Sequence, residues 1–188
     1  MIVEIDRDAS LVTKRGETPD EAERVRREAE VLAVARHPGV VELVGSEGGS
    51  LTLRLVEAAA DLAALSRTEL LAVAASVATT LADLHDIGVV YGGHLEEHVL
   101  LDREGRPVLC SFGQAGSDQA APADDVAALG LLFADVLSPL PPALARAMHP
   151  NPKRRPTARA LANALARPER PAHSAGKTRL PATVYCPR

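Results

Sequence analysis

The chain has 188 residues, 46% of them hydrophobic but only 2% aromatic, and a formal net charge of −4. That length allows one sizeable core or two small lobes sharing an interface, and the core has to be built from Leu, Val and Ala. No apolar run reaches the roughly 18 residues of a membrane span, and the acidic balance excludes general nucleic-acid binding, which needs a basic surface.

Two β-type runs, 2–5 and 11–14, flank Asp6-Arg7-Asp8 and predict a hairpin. Thr18, Pro19 and Glu21 then supply a cap, a first-turn proline and a capping-box carboxylate. The helix they announce carries Val25, Ala29 and Leu32 on one seam, with Glu28 beside it, and stops at His37-Pro38-Gly39. Strands are predicted over 40–45 and 51–56, joined by the turn Glu47-Gly48-Gly49-Ser50. Ser66 and Glu69 form a second capping box. It opens a long helix with the stripe Leu70, Val73, Val77, Leu81 and Leu84, for which Gly88 is a natural end signal. Short strands follow at 99–101 and 108–110 around the turn Asp102-Arg103-Glu104-Gly105. A Gly/Ala/Gln-rich loop leads to a third helix marked by Val126, Leu129, Leu132, Phe133 and Val136, and segments 142–148 and 157–166 predict two more.

Residues 167–188 differ from the rest. They hold five basic residues, one acid and four prolines, so that 1–166 sum to −8 and the tail reads as a disordered, weakly basic extension. Thr178 and Thr183 lie in it as candidate phosphoacceptors, and Cys186 as an exposed thiol, whereas Cys110 is expected to pack as a small hydrophobe. Two cysteines make no disulfide framework, and Met1-Ile2-Val3-Glu4 lacks the basic start of a signal peptide; a cytoplasmic protein is expected.

Two short motifs invite catalytic readings that their surroundings weaken. His94-Leu95-Glu96-Glu97-His98 has the spacing of an inverted zinc-protease motif, which needs both histidines on one helix face and a third ligand downstream. Here it falls between strand-like runs, and local hydrogen bonding is the simpler role. Ala175-Gly176-Lys177-Thr178 is half a phosphate-binding loop, with Pro171 where the first glycine belongs.

The stretch from Gly88 to Asp102, Gly-Val-Val-Tyr-Gly-Gly-His-Leu-Glu-Glu-His-Val-Leu-Leu-Asp, resembles the catalytic loop of bacterial Ser/Thr protein kinases. That family usually has Gly-Ile-Val-His-Arg-Asp-Leu-Lys-Pro-Glu-Asn-Ile-Leu-Leu-Asp. Val89, Val90, Val99, Leu100 and Leu101 keep the apolar frame, while Tyr91 stands for the His, Gly92 for the Arg, Gly93 for the catalytic Asp and His98 for the metal-binding Asn. Other segments resemble the family in the same order. Val12-Thr13-Lys14 is similar to the end of the strand with the phosphate-binding Lys. Arg27-Glu28-Ala29 and 35–41 are similar to the αC helix and the strand after it. Ser111-Phe112-Gly113 stands where the family has Asp-Phe-Gly, Asp125 to Gly130 resemble the start of αF, and 150–157 resemble the loop before the last helix.

The resemblance implies an α+β, bilobal kinase-like fold: a reduced N-lobe of few antiparallel strands and one helix at 1–57, a mostly helical C-lobe at 58–166, and the tail at 167–188. It also implies losses. No Gly-rich loop precedes Lys14, the activation segment between Gly113 and Asp125 is clipped, the first C-lobe helix has no room between Val56 and Ser66, and Arg155 lacks its usual Glu partner. Gly93 has no side chain to act as base, and Ser111 and His98 replace Mg²⁺ ligands, so no catalytic residue is expected to work. Lys14 and Glu28 survive as a pair, and Lys14 is the only lysine before Lys153. The expectation is a pseudokinase that binds another protein in signalling, with no metal site, no nucleic-acid partner and no membrane span. ATP, held by Lys14 and Glu28 without Mg²⁺, is the one cofactor left open. The alternative is a divergent Ser/Thr kinase or ATP-binding phosphotransferase using Lys14 and Glu28 with His98 and Ser111, and a third reading is a nucleotide sensor.

Overall fold

The computed structural model describes residues 1–58, 61–115 and 120–167. The candidate phosphoacceptors Thr178 and Thr183, with Lys177, Cys186 and the tail beyond Arg167, lie outside the described residues.

Among the described residues the chain is α+β, with a small antiparallel sheet and five α-helices. Strands β1 (Ile2–Asp6) and β2 (Leu11–Arg15) form the expected hairpin, and β3 (Leu43–Glu47) and β4 (Ser50–Arg54) form a second one. Together they make a four-stranded sheet in the order β1-β2-β4-β3, every neighbouring pair antiparallel. Helix α1 (Pro19–Val34) packs across one face of it, burying Val25, Glu28, Ala29 and Leu32. Both halves of its capping box form: the Thr18 hydroxyl accepts from the Glu21 N–H, and the Glu21 carboxylate accepts from the Thr18 N–H.

The strand expected over 40–45 begins three residues late. Val40 and Val41 are extended and buried, but they pair elsewhere: the Val41 N–H donates to the Leu109 carbonyl at 2.9 Å, and the Leu109 N–H donates to the Gly39 carbonyl at 2.8 Å. Their β-branched, apolar character suits pairing, but the partner is distant in sequence and Val40 makes only an isolated bridge. These two bonds tie the sheet half of the chain to the second, mostly helical half.

A one-turn 3-10 helix, Leu62–Ala64, precedes α2 (Arg67–Asp86), the longest helix. Its predicted stripe is buried throughout, each large side chain contributing roughly 1.5–3 kcal/mol. The helix ends in a Schellman motif. Gly88, at φ 79°, donates to the His85 carbonyl, and the Val89 N–H donates to the Leu84 carbonyl. A small hairpin follows, β5 (Val99–Leu101) with β6 (Pro107–Leu109), then α3 (Pro122–Ala134), α4 (Pro142–Ala147) and α5 (Ala158–Leu165). Helix α5 packs most extensively on α2. One continuous apolar cluster, mostly Leu, Val and Ala, runs through both halves.

Candidate functional site

The site lies where the two halves meet, and its first component is the predicted ion pair. On β2, Lys14 sits opposite Leu51 of β4, on the sheet face covered by α1. On α1, Glu28 falls between Val25 and Leu32 on the buried seam. Their side chains meet with Lys14 Nζ 2.7 Å from Glu28 Oε1, only 14% and 5% exposed. A solvated surface pair would be worth little; this one is enclosed, where each charge needs its partner.

The same Glu28 oxygen accepts a second hydrogen bond, from the backbone N–H of Phe112 at 3.1 Å. Residue 111 reaches that point in a left-handed conformation, φ 64°, uncommon for a residue with a Cβ. The Phe112 ring is fully buried and meets Tyr91 edge-to-face, with centroids 5.1 Å apart and planes at 87°. Four aromatic side chains exist in the whole sequence, so placing two of them in contact here concentrates rigid packing at this point. The Tyr91 hydroxyl donates to the Cys110 carbonyl at 2.8 Å. Burial pushes the Tyr91 phenol up and out of the titratable range, and burial also raises the Cys110 thiol, with Lys14 opposing. Neither group is prepared to lose a proton.

The second component is Asp125, in the first turn of α3 and 1% exposed. Its carboxylate accepts from the Tyr91 N–H at 2.9 Å and the Gly92 N–H at 2.8 Å, and lies 2.8 Å from His85 Nε2 on α2. One buried carboxylate thus holds the start of the loop, α2 and α3 together. Nothing in the sequence alone assigned this role to Asp125 or His85, since their partners lie 34 and 40 residues apart.

The positions expected to be degenerate can be placed individually. A Cβ on Gly93 would lie 2.8 Å from Tyr91 Cε1, closer than side-chain atoms pack. A Cβ on Gly92 would lie 2.9 Å from that of Ala120, and Gly92 has φ 68°. His98 contributes its backbone: its carbonyl accepts from the Cys110 N–H at 3.0 Å, bracing β5 to β6. Ser111 is half-buried, directly precedes the Phe112 N–H that reaches Glu28, and offers a neutral hydroxyl. His94 and His98 lie in loop and turn backbone, not on one helix face. Among the described residues, no group of three or more His, Cys, Asp or Glu is placed to hold a metal ion.

Arg155, whose partner the sequence left open, reaches α3. Its Nη1 donates to the Ala123 carbonyl and to Asp124 Oδ1, both at 2.9 Å, and its Nε donates to the His149 carbonyl at 2.9 Å. No described helix is long and apolar enough to cross a membrane. Comparison with protein-family models and with curated proteins gives no match for this chain.

Proposed function

We propose that this chain is a truncated, catalytically inactive protein-kinase-like domain, bilobal in arrangement, that acts by binding another protein. A four-stranded sheet with one helix, followed by a mostly helical half, is the order that the sequence resemblance implies. The observation that carries the proposal is the coexistence of two things at one place. The Lys14–Glu28 pair is closed and joined to the Phe112 backbone, while the positions for base and metal ligand hold Gly93 and Ser111.

Phosphoryl transfer depends on positioned charge: a cation bridging the phosphates and a carboxylate orienting the nucleophile. A serine hydroxyl does not offset a divalent cation as a carboxylate does. Loss of the base alone costs roughly 10²–10⁴-fold in rate. What remains is a scaffold with intact internal connections. Its surface offers a partner two grooves: one of about 360 Å³ between the end of α1 and the start of β3, and a more apolar one of about 430 Å³ between α2, α3 and the start of α5.

A thermal-shift titration with ATP, run with Mg²⁺, with Mn²⁺ and with a chelator, tests the proposal. No shift in any condition is the expected result. A metal-independent shift abolished by Lys14→Ala would make the chain a nucleotide sensor, and a metal-dependent one would favour a divergent kinase.

A further inference from the structure

We propose that the chain self-associates through β1, two copies pairing antiparallel about a twofold axis at Val3 so that their sheets join. The inference stands apart from the kinase-like reading. The four-stranded sheet has two edges, β1 and β3, and they are treated differently. The β3 edge is interrupted by a register shift between Leu43 and Gly45, the kind of bulge that blunts an edge against further pairing. By contrast, β1 runs through five consecutive regular pairs with β2, and Ile2–Asp6 contains no proline and no lysine.

The side chains on that open edge are apolar on one face. Met1, Val3 and Ile5 are 55%, 50% and 55% exposed, and the two-residue period of a strand puts all three on the same side. Val3 and Ile5 lie opposite Lys14 and Val12, so the row continues the face that carries the half-buried Val12. An apolar row beside an edge that no other described strand pairs fits the addition of another strand, whose main chain supplies the hydrogen bonds.

The residue pattern selects a second copy as that strand. With the axis at Val3, Val3 faces itself, Met1 faces Ile5 and Ile2 faces Glu4, so the whole apolar row is covered and no acid stands opposite another. Centring on Glu4 sets two like charges directly opposite, which destabilises a pair. A slip of one residue faces Val3 with Glu4, and centring on Ile2 leaves Ile5 uncovered. The Val3 register is self-complementary, as a twofold interface requires.

Sedimentation velocity on the full chain over a concentration series tests this directly. The expected result is a reversible dimer, lost when Val3→Lys and Ile5→Lys are combined, with circular dichroism and melting temperature unchanged. In a Cys186→Ser background, Val3→Cys is expected to give an interchain disulfide under mild oxidation and Glu4→Cys is not; this comparison decides the matter if the lysine variant fails to fold. A monomer at every concentration, a dimer untouched by the lysines, or Glu4→Cys cross-linking as readily as Val3→Cys would overturn the proposal.

Discussion

A carboxylate at position 93 would begin with a Cβ pressed 2.8 Å from the Tyr91 ring, which is itself fully buried, bonded to the Cys110 carbonyl and packed on Phe112. Tyr91 and Gly93 are therefore one packing solution. Gly93→Asp is expected to cost about 1–3 kcal/mol through overpacking, read from urea denaturation, and to yield no phosphoryl transfer. Lys14 and Glu28 behave in the opposite way, as a pair that must be kept or lost together. Lys14→Met leaves a buried carboxylate with only the Phe112 N–H for company, a loss of roughly 3–5 kcal/mol. Combining it with Glu28→Gln should cost less than the two singles summed, a coupling of about 0.5–3 kcal/mol. Strictly additive effects in that double-mutant cycle would show the contact to be incidental.

Helix caps and stripes were legible in the sequence because they are local. Thr18 with Glu21 and Ser66 with Glu69 each close a capping box within three residues, and the α2 stripe from Leu70 to Leu84 is a period that needs no tertiary information. The β3 boundary was not legible, since Val40 and Val41 have strand-like side chains whose backbone partner, Leu109, comes much later. The same holds for the polar clamp below that junction. His37 on the loop after α1, Asp83 on α2 and Arg159 on α5 come together, with His37 Nε2 3.0 Å from Asp83 Oδ2 and Arg159 Nη2 2.6 Å from Asp83 Oδ1. His37 Nδ1 accepts from the Gly39 N–H, which leaves Nε2 as the nitrogen that donates to Asp83. The Arg159 hydrogen bond, followed by its charge and His37, holds the Asp83 carboxyl below the usual range against an opposing burial effect. A folded value below the unfolded one means stabilisation that is complete above the unfolded carboxylate value and is lost as pH falls through the folded one. The melting-temperature gap between the natural chain and Arg159→Ala should therefore narrow below about pH 4. A gap that stays constant through strongly acidic pH would show that the clamp contributes nothing by charge.

Across the whole molecule, one apolar cluster spans the sheet half and the helical half, and the loop from Gly88 to Asp102 lies at their junction. Asp125 fixes the backbone at Tyr91 and Gly92, Tyr91 and Phe112 pack together, and Glu28 holds the Phe112 N–H. The sequence singled out Lys14, Glu28, Gly93 and Ser111 as candidates, and of these Lys14 and Glu28 meet as an ion pair; the connections made by Asp125, His85 and Asp124 required three dimensions because each joins separate helices or loops. On the proposed function, this junction is a scaffold without phosphotransfer chemistry. Incubating the full chain with γ-labelled ATP and Mg²⁺ or Mn²⁺, alongside Lys14→Ala, tests it most directly. The same background release and incorporation of label is expected for both proteins, whereas turnover by the natural chain that disappears in Lys14→Ala would overturn the proposal.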